Sequence, residues 1–383
     1  MKTSKVLQVS YKERLVGTLA LTKEKQIAFE YDDAWLDNGF SISPFSLPLE
    51  KKVFIPSKNY FNGLYGVFAD SLPDAWGKLL LDRLLLKNNV KLEEISTLDR
   101  LAIIGSTGMG GLDYFPEHKI TTANPGFDLD FLAFECKKIL ESEYYINSEQ
   151  NSENIQSLDA LYALGGSSGG ARPKVMMEID GVDWIIKFPA RGDSQDVGKR
   201  EYEYSLCAKD CGIDMTQTKL FPSEICAGYF GVERFDRVKT QTDTDRIHVL
   251  TVAALLELNF EQPSLDYSDL MKLTKILTKD NIEHLENMFR RACFNVFAHN
   301  RDDHSKNFSF LYNEIENRWH LAPAYDLTFS TTFYGEHTTS VNGNGKDPGE
   351  KELLQVGVNA GLNRSKCLEI IDEIKLKTKV LVN

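Results

Sequence analysis

The stretch 281–312 constrains the fold more than any other part of the chain. Apolar residues recur at three- and four-residue spacing from Leu285 to His299, which predicts an amphipathic helix over 281–299. The next eight residues, 300–307, read N-R-D-D-H-S-K-N, and a largely apolar run follows them. Metal- and proton-capable side chains are dense between two apolar runs. We therefore interpret this loop as a functional site rather than as a merely solvated one.

The composition is that of an ordinary globular protein, with 42% hydrophobic and 26% charged residues in 383. The net charge of −12 argues against broad, unassisted binding to nucleic acid, although DNA contact through a partner stays open. The N-terminus lacks the apolar stretch of a signal peptide, and no window approaches the ~20 apolar residues of a membrane span. We therefore expect a cytoplasmic protein without membrane association.

Six cysteines are present without a C-x-x-C pair, which favours reduced thiols. Cys207 and Cys211 would share a helix face. Packing is favoured there over a metal site, because no His or second cysteine pair is nearby.

Apolar–polar alternation predicts the strands of the N-terminal half. Residues 5–31 predict a small antiparallel sheet, and residues 175–179 and 183–189 predict two further strands. The polar segment 147–157 is the best candidate for a linker.

From about His248 the pattern is helical. The predicted helices include 249–258, 267–278 and 281–299, followed by two short helices within 353–381. These changes divide the chain into three segments. Residues 1–118 are β-rich, residues 119–247 contain a glycine-rich tract, and residues 248–383 are helical.

Two glycine-rich stretches lead to different predictions. Residues 165–170 read G-G-S-S-G-G, and glycine allows backbone N–H groups to approach a phosphate closely. Arg172 and Lys174 strengthen that interpretation, although such a tract is also typical of a flexible turn. Residues 105–111 lack the lysine and the spacing of a phosphate loop, and we interpret them as a structural turn.

Lys187 lies in the apolar context W-I-I-K-F-P. A desolvated ammonium needs a partner or a ligand, so phosphate binding is one interpretation. A solvent-facing lysine on an edge strand is the other.

The polar loop supplies candidates for phosphoryl transfer. Asp302 and Asn307 have the D-x-x-x-x-N spacing of a kinase catalytic loop, with Asp302 as base and Asn307 as a Mg²⁺ ligand. Asp326, in P-A-Y-D-L, is the candidate second ligand. Asp303 is adjacent, and only the spacing to Asn307 favours Asp302 over it.

Other groups in this loop have several possible roles. His304 and Lys306 are candidates for contacting phosphate or orienting the loop. A metal site built from His299 and His304 is a rival, but a five-residue gap does not place both on one helix face.

The motifs G-G-S-S-G-G-A-R-P-K, W-I-I-K-F-P, E-R-F-D-R, N-R-D-D-H-S-K-N-F-S and P-A-Y-D-L occur in that order. Together with V-G-T-L, F-S-L-P-L and D-S-L-P-D-A-W-G near the N-terminus, they resemble the HipA-like serine/threonine kinases, toxins of type II toxin–antitoxin modules. The resemblance covers nearly the whole chain. It implies an α+β fold, distantly like the bilobal protein-kinase and PI3K-type folds. That fold would have a β-rich N-terminal region, an N-lobe and an all-helical C-lobe.

The resemblance also implies site roles. Asp302 would be catalytic, Asn307 and Asp326 would hold Mg²⁺, and Ser167 (or Ser168) would be autophosphorylated to inactivate the enzyme. The implied ATP-binding positions are Ser167, Ser168, Gly169, Gly170, Ala171, Lys187, Glu233, Phe235, His304, Lys306, Asn307 and Asp326.

The implied partners are a small helix-turn-helix antitoxin of the HipB type, with DNA bound only through it, and a protein substrate such as an aminoacyl-tRNA synthetase. Two alternatives remain. One is a nucleotide-binding co-repressor that acts with the antitoxin, and the other is a small-molecule or lipid kinase.

Overall fold

The computed structural model describes residues 4–57, 60–118, 128–141, 152–240, 244–332 and 334–382. The chain forms two compact units. The first unit consists of Met1–Lys199 and Lys219–His248, and the second unit consists of Arg200–Thr218 and Val249–Asn383. The predicted boundary after residue 118 lies inside the first unit.

The first unit contains a five-stranded antiparallel sheet with the order β4-β3-β2-β1-β5. Its strands are β1 (Val6–Tyr11), β2 (Arg14–Leu21), β3 (Ile27–Tyr31), β4 (Val53–Phe54) and β5 (Leu112–Phe115). Alternation buries Leu7, Val9 and Leu19 on one side of the strands. The sheet predicted over residues 5–31 is therefore confirmed.

A second sheet in this unit has the order β6-β7-β9-β8. The remaining strands of the unit are β6 (Lys174–Ile179), β7 (Val182–Lys187), β8 (Thr218–Phe221), β9 (Tyr229–Glu233), and the hairpin β10 (Arg237–Lys239) with β11 (Thr244–Arg246). Val175, Trp184 and Ile186 pack with Trp76 and Leu161 in one core cluster. The two strands predicted after the glycine-rich tract are confirmed.

The helices of the first unit are α1 (Asp33–Asn38), α2 (Gly66–Ala69), α3 (Ala75–Lys87), α4 (Thr97–Ile104), α5 (Leu129–Glu141) and α6 (Ser152–Gly165), with a 3₁₀ turn at Leu92–Glu94. Residues 147–151 of the predicted linker lie outside the described residues. The linker prediction is wrong for 152–157, because these polar residues extend α6, whose Leu158 and Leu161 pack in the core.

The second unit combines helices and strands. Its helices are α7 (Val197–Asp210, most of it in this unit), α8 (Val252–Leu255), α9 (Tyr267–Leu277), α10 (Ile282–Phe297), α11 (Glu350–Asn359), α12 (Arg364–Lys377) and α13 (Lys379–Val382), with a 3₁₀ turn at Ser305–Asn307. Its strands are β12 (Val249–Thr251), β13 (Leu265–Asp266), β14 (Ser309–Asn313), β15 (Arg318–Leu321) and β16 (Thr339–Ser340).

The all-helical prediction for the C-terminal region is therefore wrong. Strands β12, β14 and β15 form an antiparallel sheet, and β13 pairs with β16 in parallel. The single helix predicted over 249–258 is also wrong. The Thr251 side chain accepts a hydrogen bond from the Ala254 N–H and caps α8. Val249, Leu250 and Thr251 pair with β14 instead.

The amphipathic helix before the polar loop is confirmed as α10. Asn281 caps its N-terminus by accepting hydrogen bonds from two backbone N–H groups. Leu285, Phe289, Ala292 and Val296 are buried along one face. Across the described ranges, no helix is both long enough and apolar enough to cross a membrane.

Candidate functional site

The glycine-rich loop 165–174 connects α6 to β6, and its two serines are buried. Ser167 is 8% exposed and Ser168 is 2% exposed. The Ser167 hydroxyl donates a hydrogen bond to the Thr107 carbonyl at 2.9 Å, and the Ser168 hydroxyl donates to the Gly165 carbonyl at 2.6 Å. Neither hydroxyl can accept a phosphoryl group unless this loop moves.

Residues just before and within the first turn of α3 hold the loop in place. The Gly170 N–H donates to Asp74 Oδ2 at 3.2 Å, and the Gly170 carbonyl accepts from the Trp76 N–H at 3.2 Å. The Trp76 indole Nε1 donates to the Lys174 carbonyl at 3.0 Å. Asp74 occupies the N-cap position of α3 but makes no capping hydrogen bond, since its carboxylate binds the loop instead.

Close packing fixes the loop further. A Cβ at Gly77 would lie 2.8 Å from the Ser168 carbonyl oxygen, so a larger residue there would push the loop away. Lys174 is 7% exposed, and its Nζ donates to the Gly169 carbonyl at 2.5 Å. Ala171, two residues after Gly169, is exposed. The run D-S-L-P-D-A-W-G thus supports the glycine-rich loop. Both motifs stand out in the sequence, but the contact between them was not predicted.

Lys187 ends β7, which is an interior strand. It is in register with Lys174 on β6 and with Phe230 on β9, so the edge-strand alternative is wrong. The Lys187 Nζ lies 5.6 Å from the centroid of the Phe230 ring. Glu233 ends β9 and Phe235 follows two residues later, both half-buried.

A buried ionic cluster lies within the same E-R-F-D-R motif. Asp236 is 1% exposed and accepts hydrogen bonds from Arg234 Nη2 and Arg237 Nη1, each at 2.8 Å. Burial alone would raise the pKa of Asp236, but the two guanidinium groups outweigh it and lower the pKa to about 2. Its Oδ2 also accepts from the Gly110 N–H at 2.8 Å. The stretch 105–111 is therefore tied to the protein as a structural loop, as predicted.

In the second unit, the polar loop 300–307 is closed by its own residues. Asn307 Nδ2 donates to the Asp302 carbonyl at 2.6 Å, and the Asn307 N–H donates to the His304 carbonyl at 2.9 Å. The Asp302 side chain is 61% exposed, with His304 Nε2 4.0 Å from its Oδ1. Lys306 Nζ lies 4.3 Å from the centroid of the Phe260 ring. The spacing from Asp302 to Asn307 thus corresponds to a contact that fixes the loop.

Asp303 has a structural environment that differs from that of Asp302. It is fully buried, and its carboxylate accepts hydrogen bonds from the Tyr267 hydroxyl at 2.9 Å, His337 Nδ1 at 3.0 Å and the Thr339 N–H at 3.0 Å. These three donors occupy Asp303, which leaves Asp302 as the accessible carboxylate of the pair. His337 lies 34 residues away, and no local pattern in the sequence indicated it.

Asp326 belongs to a segment that is joined to the same loop. The Asp326 carbonyl accepts from Asn300 Nδ2 at 3.4 Å, and the hydroxyl of the preceding Tyr325 donates to the Lys306 carbonyl at 2.6 Å. The φ of Asp326 is +52°, in the left-handed region that non-glycine residues seldom occupy. Such conformations cluster at functional sites because the surrounding contacts must enforce them.

The donor atoms of Asn307 and Asp326 suit Mg²⁺, which prefers oxygen ligands. Asn307 Nδ2 is used by the Asp302 carbonyl, so Oδ1 is the atom able to bind a cation. Among the residues that the structure describes, no three His, Cys, Asp or Glu side chains form a metal cluster. The rival sites at Cys207–Cys211 and His299–His304 therefore gain no support.

Two family models match this chain. The HipA N-terminal domain matches residues 7–115, and the HipA-like C-terminal domain matches residues 166–380. The second match alone spans more than half of the chain. This chain belongs to the HipA-like family. The family resemblance predicted from the motifs is confirmed.

Two relatives of the HipA-like chain extend this result. "Putative kinase Y4mE" of Sinorhizobium fredii is 25% identical over 361 residues, which cover 87% of this chain and 79% of the relative. The HipA of Shewanella oneidensis, solved with HipB and its operator DNA, matches with a TM-score of 0.69 and 18% identity. That match covers 98% of this chain and 89% of the other. It shows a common mixed fold of helices and sheets.

Proposed function

We propose that this HipA-like chain is an ATP- and Mg²⁺-dependent phosphotransferase that phosphorylates Ser or Thr of other proteins. The observation that carries the proposal is the pair Asp302 and Asn307. The 2.6 Å hydrogen bond from Asn307 Nδ2 to the Asp302 main-chain carbonyl closes the loop that carries an accessible carboxylate and an amide oxygen. Transfer of a phosphoryl group to a hydroxyl requires this pair of functions. The name of the relative Y4mE is consistent with the proposal.

In the proposed reaction, the acceptor hydroxyl oxygen forms a bond to the γ-phosphorus of ATP while the bond from that phosphorus to the bridging oxygen breaks and ADP leaves. Asp302 orients the hydroxyl and takes its proton on a carboxylate oxygen. Asn307 Oδ1 and the Asp326 carboxylate would hold Mg²⁺, which neutralises negative charge on phosphate oxygens when bound. Lys306 adds positive charge beside this loop, and His304 adds a ring nitrogen able to form a hydrogen bond. The buried Asp303 holds the backbone of the loop in place through its three hydrogen bonds.

Residues of the first unit would bind the nucleotide. Lys187 would pair with phosphate oxygens, and Glu233 and Phe235 would contact the adenine. The Gly170 N–H donates to the Asp74 carboxylate in this structure. Phosphate binding at Gly170 would therefore exchange one anion for another on the same donor.

The glycine-rich loop would also carry the inactivating modification. Phosphorylation of Ser167, or of Ser168, would add a dianion where the ATP phosphates bind, and like charges repel. Both hydroxyls are buried here, so the modified loop would have to leave its present position.

The proposed biological role is that of a toxin with a small helix-turn-helix antitoxin. The supporting observation is that the related Shewanella HipA was solved with HipB and operator DNA. Because this chain carries a net charge of −12, DNA contact would occur through the antitoxin. A protein of translation, such as an aminoacyl-tRNA synthetase, is the proposed class of target. The same complex supports a second role, that of a co-repressor.

Incubation of the purified protein with radiolabelled ATP and Mg²⁺ tests the proposal. We expect label on protein with the wild type, loss of label with Asp302→Asn, and loss of self-labelling with Ser167→Ala or Ser168→Ala. Absence of protein label would contradict the kinase proposal, and label on metabolites alone would indicate a small-molecule kinase. The co-repressor role would be favoured by two results together. Asp302→Asn would keep the full biological effect, and a variant that cannot bind the antitoxin would lose it.

A further inference from the structure

A cationic cavity lies in the second unit, beside the residue that precedes Asp302. Its volume is about 440 Å³. Three of its lining side chains are basic and three are apolar; they are Arg200, His299, Arg301, Phe329, Leu381 and Val382. A concentration of positive charge is unexpected in a chain with a net charge of −12, and it needs an explanation.

The basic groups of the cavity are not neutralised by acidic partners. Within the described ranges, none of the three forms an ion pair with Asp or Glu. Arg301 Nε is buried and makes no hydrogen bond to any residue that the structure describes. Burial and the nearby Arg301 and His337 lower the pKa of His299, while Asp347 acts in the opposite direction more weakly. An anion in the cavity would pair with the guanidinium groups of Arg200 and Arg301.

The cavity is also preorganised. The His299 carbonyl accepts from the Ser330 N–H at 3.0 Å, and the Arg301 carbonyl accepts from the Thr338 N–H at 3.0 Å. The backbone that carries both basic residues is thereby held on two sides. Arg200 is exposed, and its guanidinium carbon lies 5.4 Å from the centroid of the Phe329 ring, within range of a cation–π contact.

The apolar wall indicates what kind of anion fits. Phe329 is 41% exposed and Val382 is 39% exposed, so hydrocarbon surface is available beside the charges. A bare inorganic anion would leave this surface uncovered, whereas an acidic side chain brings methylene groups with its carboxylate. Arg301 directly precedes Asp302, with about 3.8 Å between their Cα atoms, and an extended chain spans about 3.5 Å per residue. A peptide whose hydroxyl lies at Asp302 would therefore reach the cavity with a residue a few positions from the acceptor.

We propose that this cavity binds an acidic side chain of the protein substrate, close in sequence to the acceptor Ser or Thr. This proposal rests on the proposed phosphotransferase function. The cavity would determine which Ser or Thr of the protein substrate is phosphorylated. A carboxylate of Glu or Asp would pair with Arg301 and Arg200, and its methylene groups would pack on Phe329. Phosphoserine has the same sign of charge, with about −1.5 to −2 in place of −1, and would be a second ligand of this class.

The test compares two fluorescent serine peptides that differ only by Glu or Gln at the positions flanking the acceptor. We expect the wild type to bind the Glu peptide on the order of tenfold more tightly, since charge-assisted hydrogen bonds are lost with Gln. Arg200→Gln should remove most of this preference. Arg364→Gln, which removes the same charge from an exposed position of α12, should retain it. Equal binding of both peptides, or an unchanged preference in Arg200→Gln, would overturn the proposal.

Two further readouts separate the possible outcomes. Binding is measured without ATP, so acidic-peptide binding without any protein labelling would overturn the phosphotransferase alone. Labelling without an acidic preference would overturn the cavity alone. The purified chain could carry phosphate on Ser330, Thr331 or Thr332. If peptide binding required removal of that phosphate, the cavity would be occupied by a residue of this chain, and the proposal would be overturned.

Discussion

The indole Nε1 of Trp76 donates a hydrogen bond to the main-chain carbonyl of Lys174 at 3.0 Å, across 98 residues of the chain. Trp76 is 1% exposed, so this bond joins the first turn of α3 to the start of β6 in a dry environment. It stabilises the glycine-rich loop at the point where the loop becomes a strand.

Trp76→Phe retains an aromatic ring but leaves the Lys174 carbonyl without this donor. We expect the free energy of unfolding to fall by about 2 kcal/mol. We also expect faster phosphorylation of Ser167 or Ser168, because the loop leaves its closed position more often. Urea denaturation and phosphopeptide mass spectrometry measure the two effects. Trp319→Phe, in the second unit, should reduce stability without changing the phosphorylation rate.

Asp302 and Asp303 should separate catalysis from stability. Asp303→Asn places an amide NH₂ against groups that already donate to the carboxylate. The free energy of unfolding should therefore fall by about 3 kcal/mol. Asp302→Asn changes an exposed side chain and should alter stability by less than about 0.5 kcal/mol while abolishing phosphoryl transfer. Thermal unfolding and label transfer measure these outcomes. Activity that survives in Asp302→Asn and vanishes in a folded Asp303→Asn would reverse the assignment.

Asp74→Asn tests the competition between a carboxylate and a phosphate for the Gly170 N–H. Without the carboxylate, the loop loses a negative charge next to the proposed phosphate site. We expect the KM for ATP to fall about threefold or more, because a phosphate oxygen would no longer compete with the Asp74 carboxylate for the Gly170 N–H. Hydrogen bonds to ionised acceptors such as these are stronger than hydrogen bonds to neutral ones. Asp33→Asn, a surface substitution on α1 of the same unit, is the matched control and should leave KM unchanged. A higher KM in Asp74→Asn would show that the carboxylate supports nucleotide binding.

Asp236 should determine some of the acid stability of the first unit. Its pKa is lowered from 3.8 to about 2 in the folded protein, where Arg234 and Arg237 outweigh the effect of burial. A carboxylate whose pKa is lowered by folding stabilises the folded protein at pH values above its pKa in the unfolded chain. Here this stabilisation is about 2 kcal/mol, and it is lost as the pH falls from about 4 to 2. Asp236→Asn should therefore be less stable than the wild type at neutral pH. Denaturant unfolding at several pH values should show the difference shrinking over this interval. A constant difference would contradict the prediction.

Local patterns predicted the elements whose contacts are close in sequence. The N-terminal sheet follows from alternation in three adjacent strands, and α10 follows from its apolar spacing and the Asn281 cap. The interval between Asp302 and Asn307 identified two residues that the structure joins by a hydrogen bond. In each case, the signal and the contact lie within one short segment.

Contacts between distant segments produced the errors and omissions. The residues 249–251 look helical alone, but they pair with β14, about sixty residues later. In the sequence, only the spacing to Asn307 separates Asp302 from Asp303, because the groups that bury Asp303 (His337 and Thr339) lie more than thirty residues away. The role of Asp74 and Trp76 likewise depends on a loop about a hundred residues away.

The hydrogen bond from the Ser167 hydroxyl to the Thr107 carbonyl has a kinetic meaning for the proposed self-modification. A buried hydroxyl reacts only in the fraction of molecules in which the loop is open, so the observed rate is the intrinsic rate multiplied by that fraction. Each 1.4 kcal/mol of loop stabilisation would slow inactivation about tenfold. Residues such as Trp76 and Gly77, which support the loop from α3, would thereby set how long each newly made molecule stays active.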